Sequence, residues 1–159
     1  MDPFAPGLID RLMDETGQGA SARHTVEQLK DLVARDIEAL LNTRLATPGR
    51  ALDQYPHARA SVLNFGLADF AAMCLTSSED RAAICASIKA AIEAHEPRLT
   101  EVSASLEPEA GSVDRVHFVI HARLRVGPDA ETVNFNAVLQ PSSLRYSITR
   151  RSRLRIAAE

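Results

Sequence analysis

The chain has little of what covalent chemistry usually needs. It carries two cysteines, Cys74 and Cys85, without the paired CxxC spacing of zinc or redox centres. It has no glycine-rich phosphate loop, no G-x-S-x-G elbow and no HExxH, so nucleotide chemistry and the common hydrolase mechanisms find no foothold. No apolar run approaches the length of a membrane span. The opening MDPFAPGLIDRLMDE has no basic segment followed by a long apolar stretch, so a secretory signal is not expected. The formal net charge is -3, which gives no global attraction to phosphates and no sign of a general nucleic-acid binder. No internal repeat is present. The cysteines lie in apolar, helix-patterned surroundings and are expected to be buried thiols in a reducing compartment, which points to the cytoplasm.

What the chain does have is an ordinary globular balance, 45% hydrophobic and 25% charged over 159 residues. That suffices for one core without disulfide or metal staples. Residues 1–24 read as an arm, with Leu8, Ile9 and Leu12 on an amphipathic stretch and a small, polar linker after it. Thr25 and Gln28 resemble a capping box, and Val26, Leu29, Leu32, Val33, Ile37, Leu40 and Leu41 recur at helical spacing until Pro48 and Gly49. The apolar stretch between Pro56 and Thr76 reads as a turn leading into a short buried helix. A second long helix begins near Ser77 or Ser78, carries Ile84, Ile88 and Ile92 on one face, and stops at Pro97.

Beyond Pro97 the period changes to two. Val102, Ala104 and Leu106 alternate with Glu101, Ser103 and Ser105; then come Val116 to Val126, Val133 to Leu139, and Leu144, Tyr146 and Ile148, joined by short turns. The expected fold is α+β, with N-terminal helices packed on one face of a C-terminal antiparallel sheet of about four strands. The expected organisation is an arm (1–24), one domain (25–149) and a basic tail (150–159).

Three strings carry a resemblance. They are Arg35-Asp36-Ile37-Glu38-Ala39-Leu40-Leu41-Asn42-Thr43-Arg44, then Ser61-Val62-Leu63-Asn64-Phe65-Gly66-Leu67, then Glu96-Pro97-Arg98-Leu99. Their order, followed by the switch to strands, resembles the phage baseplate wedge and sheath-initiator family, which has type VI secretion members and is sometimes labelled lysozyme-like. The resemblance spans roughly residues 8 to 149. Two positions depart from the pattern: His95 stands where relatives have an aromatic, and Ala68 where a proline commonly follows the Gly-Leu pair. The resemblance implies a structural, non-enzymatic part of a contractile injection machine that joins the baseplate wedge and starts sheath assembly. It implies a cytoplasmic location at the membrane-associated baseplate, without membrane insertion. The partners it implies are the wedge subunits TssF, TssG and TssK and the sheath proteins TssB and TssC.

Two candidate interfaces follow from the residues. Pro97 fixes a rigid helix-to-strand junction at which Glu96 and Arg98 can pair with a partner or tie the junction to the chain's own helices. The run from Arg150 alternates, with Arg151, Arg153 and Arg155 on one side. It reads either as a strand that adds to a partner's sheet or as a solvated basic tail. Nucleic-acid binding by that tail is disfavoured because no aromatic is interleaved with its arginines.

No metal or cofactor is expected. His117 and His121, four apart on a strand, lie roughly 13 Å from one another and are expected on an exposed sheet face. A glycoside hydrolase is the rival enzyme reading, but it needs two carboxylates flanking a cleft, and an arginine beside Glu96 works against a general acid there. A non-catalytic adaptor that binds a peptide or protein through its sheet edge is the other alternative.

Overall fold

In the chain's computed structural model, residues 25–45, 49–70, 73–74, 77–107, 116–126, 129–140, 143 and 145–150 are described. The arm 1–24, Arg151, Arg153 and Arg155 of the tail, and Leu144 of the expected fourth strand lie outside them.

Helix α1 runs Val26–Asn42. Its start is set by the expected capping box: the Gln28 amide donates to Thr25 Oγ1 at 3.2 Å, and the Thr25 amide donates to Gln28 Oε1 at 2.8 Å. Together they satisfy two donors that a helix start otherwise leaves unpaired. Leu29, Val33, Ile37, Leu40 and Leu41 are buried along one side. The helix stops at Asn42, short of Pro48. Thr43 turns extended, with φ -88° and ψ 130°, because the chain there pairs with a later segment. The Leu67 amide donates to Thr43 O and the Leu45 amide to Leu67 O, both at 2.9 Å.

The stretch from Pro56 corrects an expectation. A single turn, α2, covers Pro56–Arg59, and a 3-10 turn covers Val62–Asn64. No short buried helix follows among the described residues. Val62 and Leu63 are 80% and 60% exposed, and what the segment inserts is Leu67, fully buried behind Gly66. Gly66 has φ +126°, and a Cβ there would sit 2.5 Å from Thr43 O, so only glycine lets this backbone approach α1.

Helix α3, Ser78–His95, is capped by Ser77, whose Oγ accepts from the Asp80 amide at 3.3 Å. Ile84, Ile88 and Ile92 are its buried residues, as their spacing predicts. Cys85 on α3 is half-buried, and burial pushes its thiol up. Cys74 differs from the expected buried thiol: it is exposed in the loop before α3, and its amide donates to Asp80 Oδ2 at 2.8 Å.

The sheet is a four-strand antiparallel meander in the order β1 (Leu99–Glu107), β2 (Val116–Val126), β3 (Asp129–Gln140), β4 (Arg145–Arg150). α1 packs against β4 and α3 against β1. The inward-facing Leu99, Val102, Phe118, Ile120, Leu124, Val133, Phe135, Tyr146 and Ile148 join the helix residues in one core. A register shift between Thr100 and Ser103, with Glu101 at φ 53°, bulges β1. That bulge is what lets Leu99 and Val102, three apart, both face inward.

The histidines divide. His121 is exposed, its Nδ1 2.8 Å from Asn134 Oδ1. His117, expected to be exposed, is half-buried. No cluster of metal-ligating side chains exists among the described residues, and no helix among them is long and apolar enough to cross a membrane.

Candidate protein-protein interfaces

The junction between α3 and β1 is built by Pro97. With no amide to donate, it ends the helix, and Glu96 becomes the C-cap, its amide donating to Ile92 O at 2.8 Å. The Glu96 side chain then folds back beneath the turn and is 4% exposed as a residue. Its Oε1 accepts from the Arg98 amide at 3.2 Å and from Arg98 Nε at 2.6 Å. Its Oε2 accepts from Arg98 Nη2. The same Nη2 reaches Asp36 Oδ2 on α1 at 2.6 Å, and Arg35 pairs with the other Asp36 oxygen at 3.3 Å.

The site is therefore a charged staple. One guanidinium joins the end of α3, the start of β1 and the middle of α1. Burial works against its charge, but the bonds to Glu96 and then to Asp36 hold the Arg98 pKa above the ordinary arginine value. Leaving Glu96 buried without that partner would cost several kcal/mol by the usual measure of a broken buried pair. Of the three predicted residues, Pro97 is exposed, Arg98 half-buried and Glu96 buried. Both Glu96 oxygens accept from Arg98.

The other family strings lock the same region. His95, one residue before the staple, does two jobs. Its ring meets Phe65 edge-on with centroids 5.3 Å apart, and its Nε2 lies 2.9 Å from Asn64 O. Because a carbonyl can only accept, Nε2 is the nitrogen that carries the proton. An aromatic at this position could make the first contact without the second.

The second region lies at the far edge of the sheet. Arg150 is the last residue of β4, one residue beyond the expected domain limit, and it turns toward α1. It pairs with Glu27, and its Nε lies 2.8 Å from Asp31 Oδ1. Lys30 bridges Glu27 at 2.9 Å and Glu131 of β3 at 2.7 Å. Burial opposes the Lys30 charge, but the bonds to Glu131 and Glu27 raise its pKa overall. The bonds from Lys30 and Arg150 hold the Glu27 carboxyl below the usual carboxylate range.

Sequence reasoning had no means of finding three further residues on α1. Glu38 Oε2 accepts from the Ile148 amide at 2.8 Å. Asn42 Oδ1 accepts from the Tyr146 amide at 2.9 Å, while its Nδ2 donates to Tyr146 O at 2.8 Å. With Asp36, these are polar positions of the first family string that reach distant parts of the chain. Their partners lie 62, 110 and 104 residues away in sequence.

β3 outruns β4. Its register partners on that side run from Phe135, opposite Arg150, to Gln140, opposite Arg145. Among the described residues, the stretch from Asp129 to Asn134 has none. A groove of about 740 Å³ lies there, between this bare edge and the first half of α1, lined by Lys30, Asp31, Ala34, Glu131, Val133 and Arg150 among others.

Fold and geometry together define a small α+β domain whose Glu96 carboxylate is held inside by Arg98 and whose β3, among the described residues, extends beyond its pairing with β4. The family model described as baseplate wedge protein gp25 matches residues 27–129. That is more than half of the chain, so the chain belongs to the baseplate wedge gp25 family, whose members are structural components of baseplates in phage tail-like machines. The match takes in α1, α3, the staple and the first two strands, and ends where β3 begins. No curated protein matches the chain.

Proposed function

We propose that the chain is the TssE-type baseplate subunit of a type VI secretion machine: a non-enzymatic, cytoplasmic part that joins the wedge and starts the contractile sheath. The observation that carries this reading is the match of residues 27–129 to the baseplate wedge family; the stretch of β3 from Asp129 to Asn134, which has no register partner toward β4 among the described residues and lies beside the groove under α1, is the proposed docking edge. A strand that ends beside an unfilled slot supplies main-chain donors and acceptors to an incoming extended segment, and alternate side chains supply the selection.

Sheath subunits of the TssB and TssC kind are the proposed source of that segment, and TssF, TssG and TssK the proposed wedge neighbours. The tail, with Arg151, Arg153 and Arg155 on one side, is proposed to add as a strand to a sheath subunit's sheet. At the other pole, the exposed Pro97 and the half-buried Arg98, with Asp36 beside it, are the proposed wedge contact.

The test is an affinity pull-down of the tagged chain from its own cells, compared with a truncation after Arg150. The expected result is recovery of wedge and sheath subunits by the intact chain and selective loss of sheath subunits on truncation. Recovery of neither by the intact chain, with capture of an unrelated peptide-bearing protein, would replace this reading with that of an adaptor.

A further inference from the structure

The two edges of the sheet are protected differently. β1 has the bulge at Glu101 and carries Glu101 and Glu107, both of which discourage a neighbouring strand. β4 pairs with β3 without a register shift from Arg145 to Arg150 and contains neither proline nor lysine. A regular edge of this kind is a template for another chain. Its outward amides at Tyr146 and Ile148, however, are taken by α1.

The Asn42 carboxamide makes the pair of bonds to Tyr146 that a residue of a neighbouring strand would make, and Glu38 takes the next outward amide. A helix rises about 6 Å over four residues, and a strand advances roughly 6.6 Å over two, so Glu38 and Asn42 meet Ile148 and Tyr146 almost in step. Asn42 is also held from behind, because its Nδ2 donates to Glu38 O at 2.9 Å. Continuing the pattern one turn back on α1 brings Ala34 toward Arg150. Ala34 has no polar side-chain atom to offer, and it lines the groove.

We infer that Glu38 and Asn42 act as an edge guard. They close β4 from Tyr146 to Ile148 against any incoming strand, a second copy of this chain included. The guard ends at Ala34, and on this side strand addition falls to the stretch of β3 from Asp129 to Asn134, which has no register partner toward β4 among the described residues. The closure against self-pairing stands alone, whereas its role in placing the sheath strand rests on the proposed function.

The experiment compares the full chain with Glu38→Ala/Asn42→Ala by sedimentation velocity over a concentration series and by hydrogen exchange at Tyr146 and Ile148, with circular dichroism to establish folding. Loss of these bonds predicts faster exchange at those amides by roughly tenfold or more, and self-association stronger by a similar factor. If the double variant does not fold, Glu38→Ala alone opens the Ile148 amide and is read in the same way.

A folded variant whose two amides stay protected and whose association is unchanged overturns the guard. Ala34→Asn, which offers a further polar group toward Arg150, is expected to weaken capture of sheath subunits. Unchanged capture by Ala34→Asn overturns the claim that the guard ends there. A parent chain that captures no sheath subunit, beside a double variant that self-associates, upholds the guard and sinks the sheath reading. Sheath capture by the parent, with a double variant that neither exchanges faster nor self-associates, does the reverse.

Discussion

The junction at Glu96 and the edge at Arg150 both present arginine, and they use it differently. Arg98 is bound on two sides, to a carboxylate that is almost wholly buried and to α1. Among the described residues, Arg150 ties to Glu27 and Asp31, whose side chains are 66% and 62% exposed. Pairs of that exposed kind contribute little to stability, whereas the first holds three elements in place. The difference teaches that an arginine's neighbours in space decide whether it braces a fold or stands ready at its margin. The wedge partner proposed to dock on Pro97 and Arg98 would meet a geometry already fixed from inside.

Replacing Arg98 should break this contrast most sharply. Arg98→Ala should lower unfolding free energy by about 3 kcal/mol in a urea titration, because it leaves the Glu96 carboxylate buried without its donors. An Asp36→Ala control, removing the more exposed partner, should cost well under half of that. Equal losses would mean that Glu96 is not the group Arg98 chiefly serves.

Gly66→Ala should come next, at about 2 kcal/mol, from the strain of a side chain at φ +126° and the approach to Thr43 O. A wild-type denaturation midpoint would show that the close crossing behind Leu67 is dispensable.

Tyr146 sharpens the comparison from the core side of β4. Its hydroxyl is buried without a hydrogen-bond partner among the described residues, and burial pushes its pKa up to about 12 from an ordinary 10.0. The folded chain therefore holds the Tyr146 proton more tightly than the unfolded chain does. That contribution is intact below pH 10.0 and is lost as pH rises toward about 12. Tyr146→Phe should remove this part of the alkaline slope in melts across that range. At neutral pH it should leave stability equal or raise it by up to ~1 kcal/mol, since no bond is lost and an unpaired hydroxyl goes. A marked loss at neutral pH would show that the hydroxyl has a partner after all. Arg150→Ala should have the smallest effect, a melting midpoint close to the parent's. A large drop would move the edge into the same class as the junction.

Much of this was legible in the sequence. Thr25 and Gln28 announce the start of α1, the four-residue spacing of Ile84, Ile88 and Ile92 gives the buried face of α3, and alternation gives most of the inward residues of the described strands, Leu99 before the β1 bulge excepted. These signals are local: caps and periods are written within a few residues of where they act. The stretch after Pro56 was misread because apolar content without a single face does not fix burial. Val62 and Leu63 point outward, while Leu67 is buried through a backbone approach that only Gly66 permits. The sequence left Glu96 and Arg98 open between internal and external pairing. Glu96 proves buried against Arg98, and Arg98 bonds Asp36, a partner 62 positions away. The roles of Glu38 and Asn42 were hidden for the same reason, since on a helix wheel they are two more polar residues beside a buried stripe.

The central claim of the proposed function is that the stretch of β3 from Asp129 to Asn134, unpaired toward β4 among the described residues, and not the junction at Glu96, receives the sheath. In the alternation set by the outward Tyr146 and Ile148, the amides of Ala130, Thr132 and Asn134 face the open side. The most direct measurement is hydrogen exchange at these three amides with and without sheath subunits. The account predicts that they become protected on sheath binding, while the amides of Arg98 and Leu99 are unchanged. Sheath binding that leaves Ala130, Thr132 and Asn134 exchanging as before would contradict it.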